Sequence, residues 1–226
     1  MWPLPAIKNE HIQVVLNQNN VSIYWIKPAI SYPAKLQTYE QHEIPMSDSV
    51  LMYNSTALRS YIRTFADNHN LNNAYISFIL GADLIQEQII KHSKSDPTPH
   101  ELIGQKEKHK RYYDRYIGPY EDHYLFYICT AAHPLILQLQ MLNMQLPLHV
   151  HHISPPLSVQ ITLYKHLYKD TFNQARLAQE VNQKNASIPS IFSLEFLRRS
   201  LKTDRPITHD DLNLFYALGS FFGAQI

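Results

Sequence analysis

Three histidines near the middle of the chain form the sharpest metal-binding pattern in this sequence. His149, His151 and His152 lie in an apolar stretch that predicts a β-strand, and residues two apart on a strand, here His149 and His151, project from the same face. Two imidazoles on one face suit zinc, but a further ligand would have to come from elsewhere. Thirteen histidines in 226 residues also favour chance clustering, and no His-Glu-x-x-His or Cys-x-x-Cys motif is present. We therefore assign no metal-binding residues.

A basic run followed by two tyrosines indicates a different chemistry, the binding of nucleic acid. The run comprises Lys106, Lys108, His109, Lys110 and Arg111, and the tyrosines are Tyr112 and Tyr113. Such cations can contact phosphates, and aromatic rings can stack on bases. Glu101 and Glu107 dilute the positive charge of the run, and the chain as a whole has a formal net charge of only +1. We therefore expect a solvated basic surface and no nucleic-acid partner.

No residue pattern predicts a catalytic nucleophile or a catalytic pair of carboxylates. The only cysteine, Cys129, lies inside an apolar run, where a buried structural thiol is expected, and no Gly-x-Ser-x-Gly motif is present. Asp210 and Asp211 fall at the start of a predicted helix, where negative charge interacts favourably with the helix dipole. The sequence predicts a protein that is not an enzyme, with no catalytic residues.

Loops that bind phosphate need glycine, and glycine is scarce in this chain. Backbone N–H groups close on a phosphate only where side chains do not intervene. The five glycines are Gly81, Gly104, Gly118, Gly219 and Gly223, and they form neither Gly-x-x-x-x-Gly-Lys-Ser/Thr nor Gly-x-Gly-x-x-Gly. We therefore expect no cofactor, and ATP in particular is not expected.

Composition predicts a globular protein of a reducing compartment. Hydrophobic residues make up 45% of the chain, which is ordinary for a packed core, and a lone cysteine forms no internal disulfide. No run approaches the roughly 20 apolar residues of a membrane span. Residues 1–5 lack the features of a signal peptide. We expect a soluble protein located in the cytoplasm.

The elements that would position these residues begin with an antiparallel sheet. Three strands are predicted at residues 11–17, 21–26 and 35–42. The polar residues 18–20 predict a hairpin turn between the first two strands. A helix that ends near residue 70 is predicted from the helical spacing of Leu58, Tyr61, Ile62 and Phe65. The apolar face of this helix must lie on the sheet.

The middle of the chain alternates strands and helices. Strands are predicted at residues 74–80, 124–131 and 146–153, and helices at residues 134–145 and from Ser154-Pro155 through Leu167. A short helix is expected after Pro97, and residues 84–91 fit either a strand or a helix. Gly118-Pro119 predicts a turn between two strands. Residues 124–131 are apolar on both faces and therefore predict a central strand.

The pattern weakens between residues 170 and 206, where residues 175–181 and 192–201 are possible helices. Thr208 and Asp211 have the spacing of a capping box, which predicts a last helix from residue 209 to about residue 225.

This succession of elements resembles the PilM-like family, the actin-like cytoplasmic assembly proteins of type IV pili, and especially its short, degenerate members. Four segments carry the resemblance. The first is the hairpin at 12–26, followed by Ser49-Val50-Leu51-Met52 and the helix through Tyr61; the second is the strand at 124–131 with the helix through Leu142. The third is the strand at 146–153 followed by Ser154-Pro155-Pro156-Leu157, and the fourth is the final Tyr216-Ala217-Leu218-Gly219-Ser220-Phe221-Phe222-Gly223-Ala224. It covers roughly three quarters of the chain, and no single motif is specific.

The nucleotide-binding motifs of the actin-like class are missing. Nucleotide-binding members have an Asp-x-Gly turn between the first two strands, where this chain has Leu16-Asn17-Gln18-Asn19. Residues 170–206 contain no glycine and are too few for the sheet of a second domain. The resemblance therefore implies an α/β fold with a mixed sheet, an abbreviated actin-like (ribonuclease H-like) fold with a small inserted subdomain and a reduced or missing second domain.

The predicted domain organisation follows from this resemblance. Residues 1–75 would form the first part of the core, 76–127 the inserted subdomain, 128–169 the rest of the core, 170–206 a linker or remnant of the second domain, and 207–226 a last core helix.

In function, the resemblance implies a non-enzymatic adaptor at the cytoplasmic face of the inner membrane. In that family, a groove between the core sheet and the inserted subdomain binds the N-terminal tail of a bitopic, PilN-like inner-membrane protein, and tyrosines between residues 112 and 120 could line such a groove. The specific partner-binding residues stay unknown. The cytoplasmic domain of a type II secretion assembly protein is the related alternative, although such proteins normally continue into a membrane span. A small metal-dependent hydrolase or a nucleic-acid-binding protein is the alternative from another class.

Overall fold

The computed structural model describes residues 10–28, 34–47, 52–71, 74–142, 144–168, 172–183, 201–204, 207 and 211–223. The strands are β1 His11–Asn17, β2 Asn20–Lys27, β3 Ala34–Glu43, β4 Tyr75–Leu80, β5 Ile85–His92, β6 Lys110–Tyr120, β7 His123–Ala132, β8 His149–Ser154 and β9 Leu201–Lys202. The helices are α1 Ser55–Asn68, α2 Pro99–Ile103, α3 His133–Leu142, α4 Pro156–Leu167, α5 Gln174–Gln183 and α6 Leu212–Gly223. The predicted mixture of helices and a mixed sheet is confirmed.

A six-stranded mixed sheet has the strand order β8-β4-β1-β2-β3-β9. β1, β2 and β3 form an antiparallel meander, whereas β4 is parallel to β1 and β8 is parallel to β4. Parallel neighbours need crossover connections, which helix α1 supplies between β3 and β4. The predicted hairpin is confirmed, because Asn17 pairs with Asn20 across a two-residue turn.

Helices cover both faces of this sheet, and a hydrophobic core lies on each. Successive residues of a strand point to opposite faces. Ile12 and Val14 of β1 alternate accordingly with Val15: the first two belong to the core beneath α1 and α3, and Val15 belongs to the core beneath α4, α5 and α6. A central strand buried on both sides explains why residues 12–16 are all fully buried.

Helix α1 forms for the reasons that its sequence suggests. The Asn54 side chain caps its first turn by accepting a hydrogen bond from the Ala57 N–H at 3.1 Å. Leu58, Ile62 and Phe65 are then buried on the side of the sheet, which confirms the predicted apolar face.

A second, three-stranded sheet is inserted between β4 and β8, with the antiparallel order β5-β7-β6. The segment that was ambiguous by periodicity is strand β5. Strand β7 is central, as predicted, and its two apolar faces meet different partners. Tyr127 and Cys129 face the core beneath α4, whereas Phe126 and Ile128 pack with Leu102 of α2.

The prediction of a turn at Gly118-Pro119 is wrong. Both residues lie within β6, where the register shifts between Tyr116 and Gly118, and the turn to β7 lies at Glu121 and Asp122. Glycine serves another purpose at this position. A Cβ on Gly118 would lie 2.5 Å from the backbone oxygen of Gln174, so the absence of a side chain lets α5 approach the strand.

The predicted cap of α4 is also wrong. Ser154 is the last residue of β8, and Pro155 occupies the N-cap position without a side-chain hydrogen bond. The carboxylate of Glu87, on the inserted sheet, accepts a hydrogen bond from the Leu157 N–H instead. A long-range partner has therefore replaced the local cap.

The other predictions for the C-terminal third have mixed outcomes. The helix predicted at residues 175–181 is confirmed as α5. Helix α6 begins at Leu212, and Asp211 accepts hydrogen bonds through its backbone oxygen from the N–H groups of Leu214 and Phe215. Thr208 and Asp210 lie outside the described residues, as do residues 192–200 of the other possible helix.

The predicted borders of the insertion, residues 76 and 127, fall inside β4 and β7, whereas the three-stranded sheet itself spans β5 to β7. Strand β4 belongs to the six-stranded sheet and all of β7 to the inserted one. The predicted borders near residues 170 and 206 fall outside the described residues. Among the helices described, none is long and apolar enough to cross a membrane.

Candidate functional site

A cleft of about 600 Å³ lies between the two sheets. One wall is the end of β8, the other wall comes from β6 and β7, and α3 closes one side. Leu80 lies in this space together with these lining residues: Arg111, Tyr112, Tyr113, Cys129, Ala131, Ile136, Gln140, His151, His152, Ile153, Ser154 and Pro155. We refer to this space as the inter-sheet cleft. Both β8 and β6 are edge strands of their sheets among the described strands.

The lining of the inter-sheet cleft is apolar with a basic rim. Ile136, Ile153 and Tyr112 supply apolar surface, and Arg111 is exposed. The Arg111 guanidinium lies 2.9 Å from Nε2 of His133 at the start of α3, with the imidazole nitrogen as acceptor in its neutral form. The lining residues include no Asp or Glu. The cleft therefore favours an apolar ligand. If the ligand is charged, a negative charge suits the Arg111 side chain.

Hydrogen bonds between β6 and α4 hold the inserted sheet in place. Nη1 of Arg115 donates to the Ser158 carbonyl and hydroxyl oxygens, each at 2.7 Å, and lies 3.2 Å from Oγ1 of Thr162. The Tyr113 hydroxyl lies 2.7 Å from the Ser158 hydroxyl. We call this set of contacts the β6–α4 latch. It fixes the wall of the cleft that β6 supplies.

Glu87 makes a second attachment between the inserted sheet and α4. Its carboxylate accepts a hydrogen bond from the Tyr127 hydroxyl as well as from the Leu157 N–H. Burial raises the pKa of Glu87, and these two hydrogen bonds only partly oppose that effect. A half-buried acid at the N-terminus of α4 therefore joins the inserted sheet to this helix.

His152 is a half-buried side chain at the base of the cleft. Its Nε2 lies 2.9 Å from the Ser220 hydroxyl of α6, and its Nδ1 lies 2.6 Å from Nδ1 of His151. Burial, followed by the charge of His151, lowers the pKa of His152 to about 4. Ser220 is only 1% exposed, so this serine cannot meet a substrate. The Ser–His pair attaches α6 to the edge strand.

The three histidines that suggested a metal site are divided between different partners. His149 and His151 both pack on the ring of Tyr75, at 5.7 and 5.9 Å between centroids, so they share one side as predicted. His152 contacts Ser220 of α6 instead, and the pairing of β8 with β4 shifts register beside it. In the described part of the chain, no three His, Cys, Asp or Glu side chains are placed to hold a metal ion.

The basic run forms ion pairs within the insertion. Glu107 lies 2.8 Å from Nζ of Lys110 and 3.0 Å from Nε2 of His109. The Tyr112 hydroxyl accepts a hydrogen bond from the Glu107 N–H at 3.0 Å. Part of the positive charge and one tyrosine hydroxyl are therefore engaged by the protein itself.

Cys129 is 3% exposed, as its apolar surroundings predicted. Burial raises the pKa of its thiol to about 12. A thiol with so high a pKa is a poor nucleophile at neutral pH. Cys129 is therefore a structural residue of the core.

In open α/β sheets, ligands bind beyond the carboxyl ends of the strands. Beyond the end of β1, this position is occupied by amide side chains. Nδ2 of Asn17 donates to Asn20 at 3.1 Å and lies 3.5 Å from the Asn213 oxygen, and Asn213 reaches Ser22 at 3.3 Å. The Tyr53 hydroxyl donates to the Asn17 carbonyl at 2.7 Å. These side chains satisfy one another across β1, β2 and α6.

Asp83 binds the turn between the first two strands, the turn that meets the phosphates in nucleotide-binding members of the actin-like class. Its carboxylate accepts a hydrogen bond from the Gln18 N–H at 2.7 Å. The chain packs closely around Gly81, because a Cβ at this position would lie 2.2 Å from Oδ1 of Asn17 and 2.7 Å from the Leu16 carbonyl oxygen. The N–H group of Gln18 in this turn is therefore engaged by a carboxylate of the chain itself.

Sequence reasoning missed the residues that attach the inserted sheet, and the turn before it, to the rest of the fold. Arg115, Glu87 and Asp83 are single charged residues without a motif, and each acts on a segment at least 40 positions away in the chain. Arg115 and Glu87 lie in the polar strands β6 and β5, and Asp83 lies in the turn between β4 and β5, so no local pattern marked these three residues.

Comparison with known proteins was made by sequence and by structure. No protein-family model matches the chain, and no curated protein matches its sequence. The PilM-PilN type IV pilus biogenesis complex matches in structure with a TM-score of 0.51 and 10% identity, over 73% of this chain and 52% of that chain. This chain thus spans about half the length of that pilus protein.

Two further solved structures are similar at lower scores. One is cyto-EpsL, the cytoplasmic domain of an inner membrane component of the type II secretion system of Vibrio cholerae, with a TM-score of 0.44 and 9% identity over 67% of this chain and 57% of that chain. The other is a Bacteroides thetaiotaomicron protein with an actin-like ATPase fold and unknown function, with a TM-score of 0.38 and 11% identity over 75% and 60% of the two chains.

The fold is thus an abbreviated actin-like α/β fold, with the three-stranded sheet as its inserted subdomain. This confirms the fold predicted from the order of elements. The solved structures that it resembles include components of pilus and type II secretion assemblies.

Proposed function

We propose that this protein is a non-enzymatic adaptor of a type IV pilus or related secretion assembly platform. In this proposal, its inter-sheet cleft binds the N-terminal cytoplasmic tail of a bitopic, PilN-like inner-membrane protein. The partner keeps the adaptor at the cytoplasmic face of the inner membrane. The adaptor itself uses no ATP, metal or other cofactor.

The inter-sheet cleft is the observation that carries the proposal. It lies between the core sheet and the inserted sheet, and it is bounded by two edge strands, β8 and β6. An extended tail can add main-chain hydrogen bonds to a strand edge and place side chains in apolar pockets. The Tyr112 ring and Ile136 offer such apolar surface on opposite sides of the opening.

The charge of the cleft restricts the tail that would fit. Arg111 is exposed at the rim, and the lining residues include no acidic side chain. A tail with apolar residues and a carboxylate at the rim would be complementary, whereas a basic tail would be repelled. The charge of Arg111 should affect which tails bind more than how tightly they bind, because exposed charges at the rim of an interface contribute little to affinity.

The end of β1 supports the view that nucleotide is not used. Asp83 accepts the hydrogen bond of the Gln18 N–H that would otherwise be available to a phosphate. Asn17 fills the space beside Gly81. A phosphate would have to displace both groups and overcome repulsion from the Asp83 carboxylate.

Calorimetric titration tests the proposal directly. The probe is the cytoplasmic N-terminal peptide of the bitopic assembly subunit encoded beside this protein, with ATP and Mg²⁺ titrated separately. We expect saturable peptide binding and no heat of ATP binding. Truncation of Tyr112 to Ala should weaken peptide binding by about tenfold or more, as expected for an aromatic anchor in an apolar cleft.

Tyr39→Ala is the matched control. Tyr39 is 42% exposed on β3, which is separated from β8 by three strands of the six-stranded sheet. This variant should bind the peptide with wild-type affinity. Equal losses in the two variants, or ATP binding without peptide binding, would contradict the proposed function.

A further inference from the structure

The outer face of α3 carries an exposed apolar stripe. Among the described residues, four large hydrophobic side chains are prominently exposed, and three of them belong to this segment: Leu137 (47%), Met141 (47%) and Met144 (85%). Spacings of four and three residues place these side chains on one side of the helix and of the turn that follows it. We call these three residues the α3 stripe.

The α3 stripe is distinct from the inter-sheet cleft. Helix α3 buries Leu135 and Leu139 in the core, and it lines the cleft with Ile136 and Gln140. Leu137 and Met141 face a different surface, which neither sheet covers. The inference below therefore does not depend on the proposed function of the cleft.

A hollow of about 380 Å³ lies beside the α3 stripe on the same surface. It is lined mainly by apolar groups, including Met52, Pro134, Leu137 and Met141. Met144, at 85% exposure, projects from the adjoining turn. This surface thus presents a projecting side chain and a cavity next to each other.

The charge of this segment also restricts its partner. Residues 134–148 include no Asp, Glu, Lys or Arg. An interface formed by two copies of such a segment has no repulsion between like charges to overcome. A charged peptide or protein, in contrast, would find no complementary charge here.

We propose that a second copy of this chain covers the α3 stripe in a two-fold symmetric dimer. A two-fold interface needs a self-complementary patch, in which residue i of one copy meets residue j of the other and the reverse. The neighbouring projection and hollow meet this requirement, because Met144 of each copy can enter the hollow of the other. Methionine suits such a contact, since its flexible side chain adapts to irregular apolar cavities.

Sedimentation velocity over about a hundredfold range of protein concentration tests this proposal, because dimer population follows mass action. We expect the wild-type chain to pass from monomer to dimer across this range. The double variant Met141→Glu/Met144→Glu should stay monomeric at every concentration, since each buried carboxylate would lack a partner. Both positions are half-exposed or more in the monomer, so the variant should fold, and its thermal melting curve verifies this.

Gln140→Glu is the matched control, since it adds a negative charge to the exposed cleft side of the same helix. This variant should dimerise like the wild type. A wild-type chain that is monomeric throughout, or a dimer that persists in the double variant, would overturn the proposal.

A membrane surface is the other occupant to be tested, because an uncharged apolar stripe could enter lipid. Co-sedimentation with phosphatidylcholine vesicles should leave the wild-type protein in the supernatant. Pelleting of the wild type that is lost in the double variant would assign the stripe to lipid and contradict self-association.

Discussion

At the scale of the residue, polar side chains from distant parts of the chain hydrogen-bond to backbone groups and cap a helix, which neighbouring residues usually do. The Gln138 amide, 7% exposed, accepts a hydrogen bond from the Tyr53 N–H at 3.1 Å and donates to the Tyr53 carbonyl at 2.8 Å. It pairs with the backbone as a neighbouring strand would and so fixes α3 to the segment before α1. Glu87 caps α4 in the same way, from a distant strand.

We predict that Glu87→Gln changes how stability depends on pH. The folded pKa of Glu87 is raised by burial, so the native state favours the protonated acid. Its contribution to stability is therefore fully present below the unfolded pKa and is lost as pH rises through the folded pKa. Glutamine keeps an acceptor for Tyr127 and Leu157 without ionising, so the variant should gain stability relative to wild type as pH rises.

Urea unfolding of both proteins at about pH 4 and about pH 8 measures this difference. Glu43→Gln, at an exposed position on β3, reports the effect of removing a negative charge from the surface alone. If the difference between Glu87→Gln and wild type were the same at both pH values, the pKa of Glu87 would not be raised in the folded protein.

We also predict that Gly219→Ala destabilises the protein, although alanine favours helices. A Cβ at residue 219 would lie 2.4 Å from the Val159 carbonyl oxygen and 2.9 Å from the Val159 carbonyl carbon. Both are backbone atoms, so α4 and α6 would have to separate. We expect a loss of about 1–3 kcal/mol in the free energy of unfolding, the usual cost of overpacking. A melting temperature equal to or above that of the wild type would show that these helices do not pack so closely.

At the scale of the element, the β6–α4 latch decides where the inserted sheet lies. Strand β6 reaches α4 through Arg115 and Tyr113, and α5 covers the same strand at Gly118. The sheet is thereby held along the middle of β6, and the neighbouring residues Arg111 and Tyr112 border the inter-sheet cleft. A rigid attachment next to an open edge is what a preorganised binding groove needs.

We predict that Arg115→Met loosens this attachment. The variant removes the donor to the Ser158 carbonyl and hydroxyl oxygens, at a cost of about 1–3 kcal/mol for hydrogen bonds to a charged group. Hydrogen exchange should accelerate in β6 and the first turn of α4 more than in β1 and β4. Peptide binding should weaken as well, because one wall of the cleft is less well fixed.

Arg111→Met is the control for this substitution, since Arg111 is exposed and its guanidinium contacts His133, not α4. It should leave hydrogen exchange in β6 and α4 unchanged. Equal acceleration in both variants would mean that the latch contributes no local stability.

At the scale of the whole molecule, the two sheets and α3 separate three surfaces. The inter-sheet cleft is apolar with a basic rim, the α3 stripe is apolar and uncharged, and the end of β1 is polar and filled by its own side chains. Each surface favours a different ligand. The proposed peptide and the proposed second copy could therefore bind at the same time.

The sequence by itself determined the order and type of most elements. Short β-branched runs identified β1 and β2, and apolar residues at helical spacing identified α1. Helix α5 was only a possible helix, because the apolar pattern weakens there. The absence of glycine-rich loops likewise needed no coordinates to be recognised. The order of elements resembled that of a known family, and this resemblance predicted the fold.

Only the tertiary structure decided what those elements surround. The cleft, the latch and the partners of Asp83 and Glu87 each join residues far apart in the chain, and no local pattern encodes such contacts. The failed predictions have the same cause. Gly118 is a glycine because α5 approaches it, and Ser154 does not cap α4 because Glu87 does. Local propensities are worth about 1 kcal/mol or less per residue, so a packing contact or a buried hydrogen bond overrides them.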